Sequence, residues 1–286
     1  MNREQRVHDP PKHGIILNHK QCGIQTVEYA LLHPCLEKSL QVSISDLLCC
    51  NQTVKQRRVG ISQIFQEEIR HINDAPQRLL VYFLKAFGKI DVLLNNAGYA
   101  AIGAFEAATE AQIKRQFDVN VLGVLRTTQA LIPHFRQSDG GTVINVSSVG
   151  GRVAFPLLSL YHASKWAIEG FSESLFYEMA AHQIKVKLVE PGNVATDFTG
   201  RSLDLLTDTS LDAYASYTET VLQKQMNSFD VHASEPKLIA ETIFEAATDP
   251  SDRFRYLVGA DAHYLMDLRS KTSDEEFMAG ITKQFS

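Results

Sequence analysis

From residue 77 onward, short branched apolar runs alternate with longer stretches of helical spacing, and this rhythm restricts the chain to very few folds. Ile90 to Leu94, Thr142 to Val146, Ile184 to Val189 and Arg255 to Val258 read as short buried strands. Between them, Glu110 to Phe135, Leu158 to Ala181 and Glu235 to Ala247 carry apolar residues at helical intervals. Leu79 to Phe87 reads as the end of a further helix, stopped by Gly88. Residues 197 to 233 form a long, aromatic-spotted and partly helical connection. Strand and helix in strict alternation argue an α/β fold with a doubly wound parallel sheet, Rossmann-like, in a single domain. In such sheets ligands sit beyond the carboxyl ends of the strands. Asn95 to Gly98, Ser147 and Ser148, and Pro191 to Thr196 follow predicted strands, so chemistry is sought there.

The chain changes character near residue 77. Before it glycine is sparse, with only Gly14, Gly23 and Gly60 among the sixteen, and all four cysteines lie in the first fifty residues. The expected organisation is therefore an atypical N-terminal segment, 1–76, followed by a regular α/β region, 77–286. Cys22, Cys35, Cys49 and Cys50 match no zinc spacing, so no metal site is expected and all four read as reduced thiols. A net charge of -5 gives no basic footprint for nucleic acid. No apolar run is long enough to span a membrane, and Met1 to Pro11 lacks the apolar core of a secretory signal. A cytoplasmic location is the default expectation.

Tyr161 and Lys165 stand four apart on a predicted helix, so phenol and ammonium share one face. A fixed cation favours phenolate, and the pairing is expected to lower the tyrosine pKa toward a useful general acid or base. Of nine tyrosines, Tyr161 alone has a lysine four residues on. Taken by itself, the pair is also what an ordinary helix surface offers. Ser148 follows a strand thirteen residues earlier and places a hydroxyl at the same edge; an isolated serine there would more often cap a turn. Asn120 sits between Val119 and Val121 inside a predicted helix, where a buried amide needs partners. It would bend the helix, hold a water near Lys165, or simply satisfy the backbone.

Taken together, Asn95-Asn96-Ala97-Gly98, Asn120 within Asn-Val-x-Gly, Ser147-Ser148, Tyr161-x-x-x-Lys165 and Pro191-Gly192-x-x-x-Thr196 resemble, in order and rough spacing, the short-chain dehydrogenase/reductase family. The resemblance covers about residues 77 to 286. It implies an oxidoreductase that moves a hydride between NAD or NADP and a carbonyl or alcohol. Tyr161 would exchange a proton with the substrate oxygen, Lys165 would tune it and bind the nicotinamide ribose, Ser148 would orient the substrate, and Asn120 would hold a relay water. Asn96, Ala97 and Gly98 would border the adenosine side of the cofactor. Pro191, Gly192 and Thr196 would pack near the nicotinamide. The resemblance also implies a dimer or tetramer through the two long helices.

The family's glycine-rich phosphate turn has no counterpart, for the chain contains no Gly-x-Gly anywhere. Ile15 to Leu17 is only a three-residue apolar scrap, and Asp74 stands where an adenine contact is expected but in unmatched surroundings. Residues 1–76 keep the length of the usual first βαβ unit and none of its pattern, as a shifted reading frame would produce. The competing expectation is a non-catalytic relative, a binding or scaffold protein with impaired cofactor binding. A nucleotide-sugar epimerase would need a longer tail. Val153 to Leu158, with Phe198, Tyr214, Tyr217 and Phe229, suggest an apolar alcohol or ketone as substrate, although core packing explains them nearly as well.

Overall fold

Val92-Leu93-Leu94-Asn95 forms a strand buried at all four positions, and the rest of the sheet is assembled around it. The computed structural model describes residues 13–21 and 24–32 as backbone, residue 84, and residues 89–195 and 202–286. The main sheet contains β1 (His13–Gln21), β2 (Ile24–Leu32), β3 (Val92–Asn95), β5 (Gly141–Val146), β6 (Ile184–Pro191) and β8 (Arg255–Val258), in the spatial order β2-β1-β3-β5-β6-β8. Every neighbouring pair is parallel except β1 with β2. A smaller parallel sheet joins β4 (Ala100–Gly103) to β7 (Leu203–Leu206).

Alternate residues of the strands enter two different cores, as a period of two demands. Leu93, Val143 and Val186 pack with Leu131 and Phe135 of α2 (Gly123–Gln137) and with Leu175 and Met179 of α3 (Ser159–Ala180). Val92, Leu94, Ile144, Val189 and Val258 pack on the other face with Ile239 and Ala246 of α5 (Pro236–Thr248). Both faces are covered, which is why β3 reads as a continuous apolar run.

Local signals set the helix boundaries. Thr109 and Gln112 form a capping box ahead of α1 (Glu110–Phe117), and Pro236 occupies the first turn of α5. A long helix, α4 (Ala215–His232), fills much of the predicted connection. Two helices beyond the last predicted strand, α6 (Ala260–Lys271) and α7 (Asp274–Phe285), have no counterpart in the sequence reading.

The N-terminal reading needs correction. Ile15 to Leu17 lies inside a nine-residue strand that runs parallel to β3, with Ile15 opposite Val92 and Leu17 opposite Leu94. A three-residue apolar run is a weak signal by itself, but the edge of a buried strand offers a ladder of partners, and strand formation is decided by such context. The antiparallel β2 then extends the edge, from Gln21 opposite Ile24 to His13 opposite Leu32. The four cysteines, Asp74 and the predicted helix over 79–87, apart from residue 84, lie outside the described residues.

Candidate active site

The carboxyl ends of β3 and β5 are tied together by polar side chains. Asn95 Nδ2 donates to Asn145 Oδ1 at 2.8 Å and to Thr128 Oγ1 at 3.1 Å. Thr127 Oγ1 donates to Asn95 Oδ1 at 2.8 Å, and Asn145 Nδ2 donates to Ser172 Oγ at 2.9 Å. The ladder joins two strands to α2 and α3. It is buried, so each unmade bond would carry a desolvation cost, and the network fixes the strand ends in one arrangement. Asn145 escaped the sequence reading, although it is an amide inside an apolar run; Asn95, read there as the first residue of the turn, is the last residue of β3.

Beyond β3 the chain passes through Asn96, partly exposed, and Ala97, buried, to Gly98. A Cβ placed at Gly98 would lie 3.5 Å from Lys165 Nζ and 3.6 Å from Asn120 Oδ1. The glycine therefore faces the ammonium directly. Asn120 sits in a π-helical turn, Asp118–Leu122, between α1 and α2. Its amide mimics a neighbouring strand: Oδ1 accepts from Tyr99 N–H at 3.1 Å, and Nδ2 donates to Tyr99 O at 2.9 Å and to Ser164 Oγ at 3.0 Å. Gln116 does the same one turn earlier, accepting from Ala101 N–H at 2.7 Å and donating to Tyr99 O at 2.9 Å. The two amides hold the β3–β4 connection against α3.

Ser148 starts the short turn Val149–Gly151, and its hydroxyl accepts from Gly150 N–H at 3.0 Å. The hydroxyl donates to Pro191 O at 3.4 Å and is also hydrogen-bonded to the Tyr161 phenol. Lys165 Nζ lies 5.9 Å from the centre of the Tyr161 ring and donates to Val146 O at 2.9 Å. The structure thus brings Ser148, Tyr161, Lys165, Asn120 and Gly98 together at one sheet edge, with Pro191 beside Ser148. Gly192 follows, its N–H bonded to Val258 O at 3.0 Å, and the next amide, Asn193 N–H, donates to Asp261 Oδ2 at 2.7 Å. Thr196 lies outside the described residues.

The electrostatics differ from the sequence expectation. Burial pushes the Tyr161 phenol above its usual pKa, and the Ser148 hydrogen bond offsets only part of that. Burial also lowers Lys165 to about 8, against which the charge of Glu169 works. Desolvation, rather than the ammonium, sets the tyrosine. Beside it stands His162, which the sequence reading missed. Its ring meets Tyr161 edge-on, Nδ1 lies 2.7 Å from Gly150 O, and Nε2 accepts from Phe155 N–H at 2.9 Å. These partners fix the neutral tautomer with the proton on Nδ1, and burial keeps the pKa below the usual value. His162 clamps the segment that carries Ser148.

An open cleft of about 500 Å³ lies beside the start of α3, lined by Gly103, Phe105, Glu106, Leu157, Tyr214 and Tyr217 among others. Leu157 adopts a left-handed backbone, uncommon for a branched side chain, and its carbonyl accepts from Gly103 N–H at 2.8 Å. Leu157, Tyr214 and Tyr217 fit the expected substrate lining. Val153 and Phe155 do not: they pack in a core with Ala262 and Phe277 of the C-terminal helices. Phe198 and the Phe229 side chain lie outside the described residues.

The short chain dehydrogenase family model matches residues 50–204, more than half of the chain. An uncharacterised oxidoreductase of Schizosaccharomyces pombe is 43% identical over 205 residues, covering 69% of this chain and 82% of that protein. A 3-ketodihydrosphingosine reductase of Bacteroides thetaiotaomicron is 36% identical over 173 residues, 60% of this chain and 64% of that one. The crystal structure of a short-chain dehydrogenase from Streptomyces avermitilis aligns with a TM-score of 0.60 at 32% identity, over 73% of this chain and 77% of that one. The chain belongs to the short-chain dehydrogenase family, whose reaction class is NAD(P)-dependent oxidoreduction. No helix among the described residues is long and apolar enough to cross a membrane.

Proposed function

We propose that the chain interconverts an apolar ketone and its alcohol with NAD or NADP, and that Tyr161 exchanges the proton. The observation that carries this reading is the hydrogen bond between Ser148 and Tyr161 with Lys165 Nζ 5.9 Å from the phenol ring. A phenol raised by burial is fully protonated at neutral pH, so Tyr161 is poised to donate to a carbonyl oxygen. Ser148, fixed by Gly150 N–H, orients that oxygen. Asn120 holds the turn at Tyr99 that keeps Gly98 open toward the ammonium.

The residues fit the ribose end of the cofactor. A buried ammonium that spends one proton on Val146 O has two more for ribose hydroxyls, and Gly98 leaves room beside it. Lys165 and Tyr161 would hold the nicotinamide ribose, Asn96, Ala97 and Gly98 the adenosine side, and Pro191, Gly192 and Thr196 the nicotinamide. A bound nicotinamide supplies the hydride. The cleft of Phe105, Leu157 and Tyr217, and the 3-ketodihydrosphingosine in the name of the Bacteroides relative, support an apolar substrate. Trp166 and Tyr177, exposed at 52% and 69% on α3, support association into a dimer or tetramer.

The absent Gly-x-Gly favours a second reading, a relative that keeps the fold without cofactor turnover. Fluorescence titration with NADH and NADPH separates the two. A saturable signal with at least one cofactor is expected, and its absence with both removes the enzyme reading.

A further inference from the structure

Tyr161, Lys165 and Glu169 succeed one another at intervals of four on α3, so one stripe of the helix carries phenol, ammonium and carboxyl. Glu169 is buried, and it meets a second buried carboxyl, Glu190, the residue before Pro191. Every element packed on the pair contributes a charged or polar group. From β8, Arg255 NH2 lies 3.5 Å from Glu169 Oε2 and its Nε 3.0 Å from Glu190 Oε1. Arg152, just after the Ser148 turn, lies 3.7 Å from Glu190 Oε2. Ser147, just after β5, turns its buried hydroxyl toward Glu169, whose carboxyl it helps to hold ionised. Along α3 itself stand Lys165 on one side and Glu173, bound to Arg255 at 2.7 Å, on the other.

Two features of this cluster need a proton. Glu169 Oε1 is buried and completes no hydrogen bond with any donor among the described residues, while Glu190 Oε1, equally buried, has the Arg255 Nε contact at 3.0 Å but no well-aligned hydrogen bond. The two carboxyls nevertheless face one another within hydrogen-bonding reach, an arrangement that repels when both are ionised and bonds when one is protonated. One proton between them satisfies both oxygens. Gly151 leaves the space: a Cβ there would lie 2.7 Å from Ser147 Oγ and 2.8 Å from Glu169 Cγ.

The geometry points to Glu169 and Glu190 as a proton-sharing carboxyl pair that acts as a positioning element under the active site, sustaining the charge of Lys165 through Glu169. This rests on the reading of Lys165 given above. The pair touches the roots of three site segments, for Ser147 adjoins Ser148, Glu190 adjoins Pro191, and Glu169 is one turn from Lys165. Burial and the facing carboxyl raise Glu169 to about 7, while Lys165 sits at about 8. As pH rises, the pair loses its proton first, and the added negative charge keeps the ammonium protonated.

The test uses the full chain. Difference infrared spectroscopy should show one carboxylic acid titrating around pH 7 in the wild type, and its band missing in both Glu169→Gln and Glu190→Gln. Two fully ionised carboxylates below neutral pH would overturn the shared proton. This readout needs no turnover, so it separates failure of the pair from failure of the oxidoreductase reading. The second readout is the alkaline limb of cofactor affinity and turnover. Without the Glu169 charge, Lys165 should deprotonate earlier, moving that limb down by about one pH unit. A folded Glu169→Gln protein with an unmoved limb would show the pair to be structural only.

Discussion

Gly192→Ala offers a quantitative test of how the Pro191-Gly192 segment is held. Gly192 has no left-handed backbone to protect, so alanine costs nothing by conformation. Its Cβ, however, would fall inside the Asp261 carboxylate at the start of α6. The carboxylate must swing away and release Asn193 N–H, a hydrogen bond to a charged acceptor of 2.7 Å. Such a bond contributes about 1.5–3 kcal/mol, and forced repacking adds about 1–3 kcal/mol. The expected loss is therefore about 2.5–6 kcal/mol, a large part of the roughly 5–15 kcal/mol that holds a domain folded. Urea unfolding of four proteins completes the argument: wild type, Gly192→Ala, Asp261→Ala and the double variant. Asp261→Ala alone should cost about 2 kcal/mol, and Gly192→Ala added to it less than about 1 kcal/mol, because the clash has gone. If Gly192→Ala costs the same on both backgrounds, Asp261 is not what the glycine accommodates and the reasoning fails.

Other outcomes follow from the same geometry. Tyr161→Phe keeps the ring and removes the proton, so turnover should fall by about 10²–10⁴-fold while cofactor affinity measured by fluorescence stays near wild type; undiminished turnover would exclude Tyr161 as the proton donor. Lys165→Met should raise the melting temperature at neutral pH while weakening cofactor binding. The lysine pKa is lowered from 10.5 to about 8 in the fold, so wild-type stability should rise with pH across that window as the ammonium is lost, and the variant should lack the rise. The gain is at most about 3 kcal/mol, less about 1 for the orphaned Val146 carbonyl. Asn145→Ala strands the Asn95 donor and the Ser172 hydroxyl and should cost about 2–4 kcal/mol in denaturant unfolding, with Asn145→Asp unable to restore the donor to Ser172.

How legible the molecule is in its sequence depends on whether the signal is local. β8 has the predicted bounds, and α3 and α5 fall within a residue or two of prediction, because periodicity and Pro236 mark them. β4 and β7 were invisible. Ala100-Ala101-Ile102-Gly103 and Leu203-Asp204-Leu205-Leu206 become strands only by meeting each other across a hundred residues. β1 is the same case, for its apolar core is three residues long and its partner is β3. Within the site, spacing alone suggested Tyr161 with Lys165, while Glu169, four further on, carried the same spacing and was passed over. Its significance depends on Glu190 and Arg255, which only the folded sheet brings to it.

Buried polar groups therefore do two things in this chain. Asn95, Asn145, Thr128 and Ser172 are satisfied by one another and hold the strand ends at fixed separations. Lys165, Glu169 and Glu190 are only partly satisfied, and burial displaces their pKa values toward one another. A fully paired network cannot respond to a ligand, because each donor is already spent. The rigid ladder at β3 and β5 is what allows Lys165 and the carboxyl pair beside it to stay close together until ribose hydroxyls arrive to complete the ammonium. Loosening the ladder should thus weaken cofactor binding even where no ladder residue touches the cofactor, a coupling readable by titrating folded Ser172→Ala with NADPH. Unchanged affinity in that variant would mean that the two networks are independent.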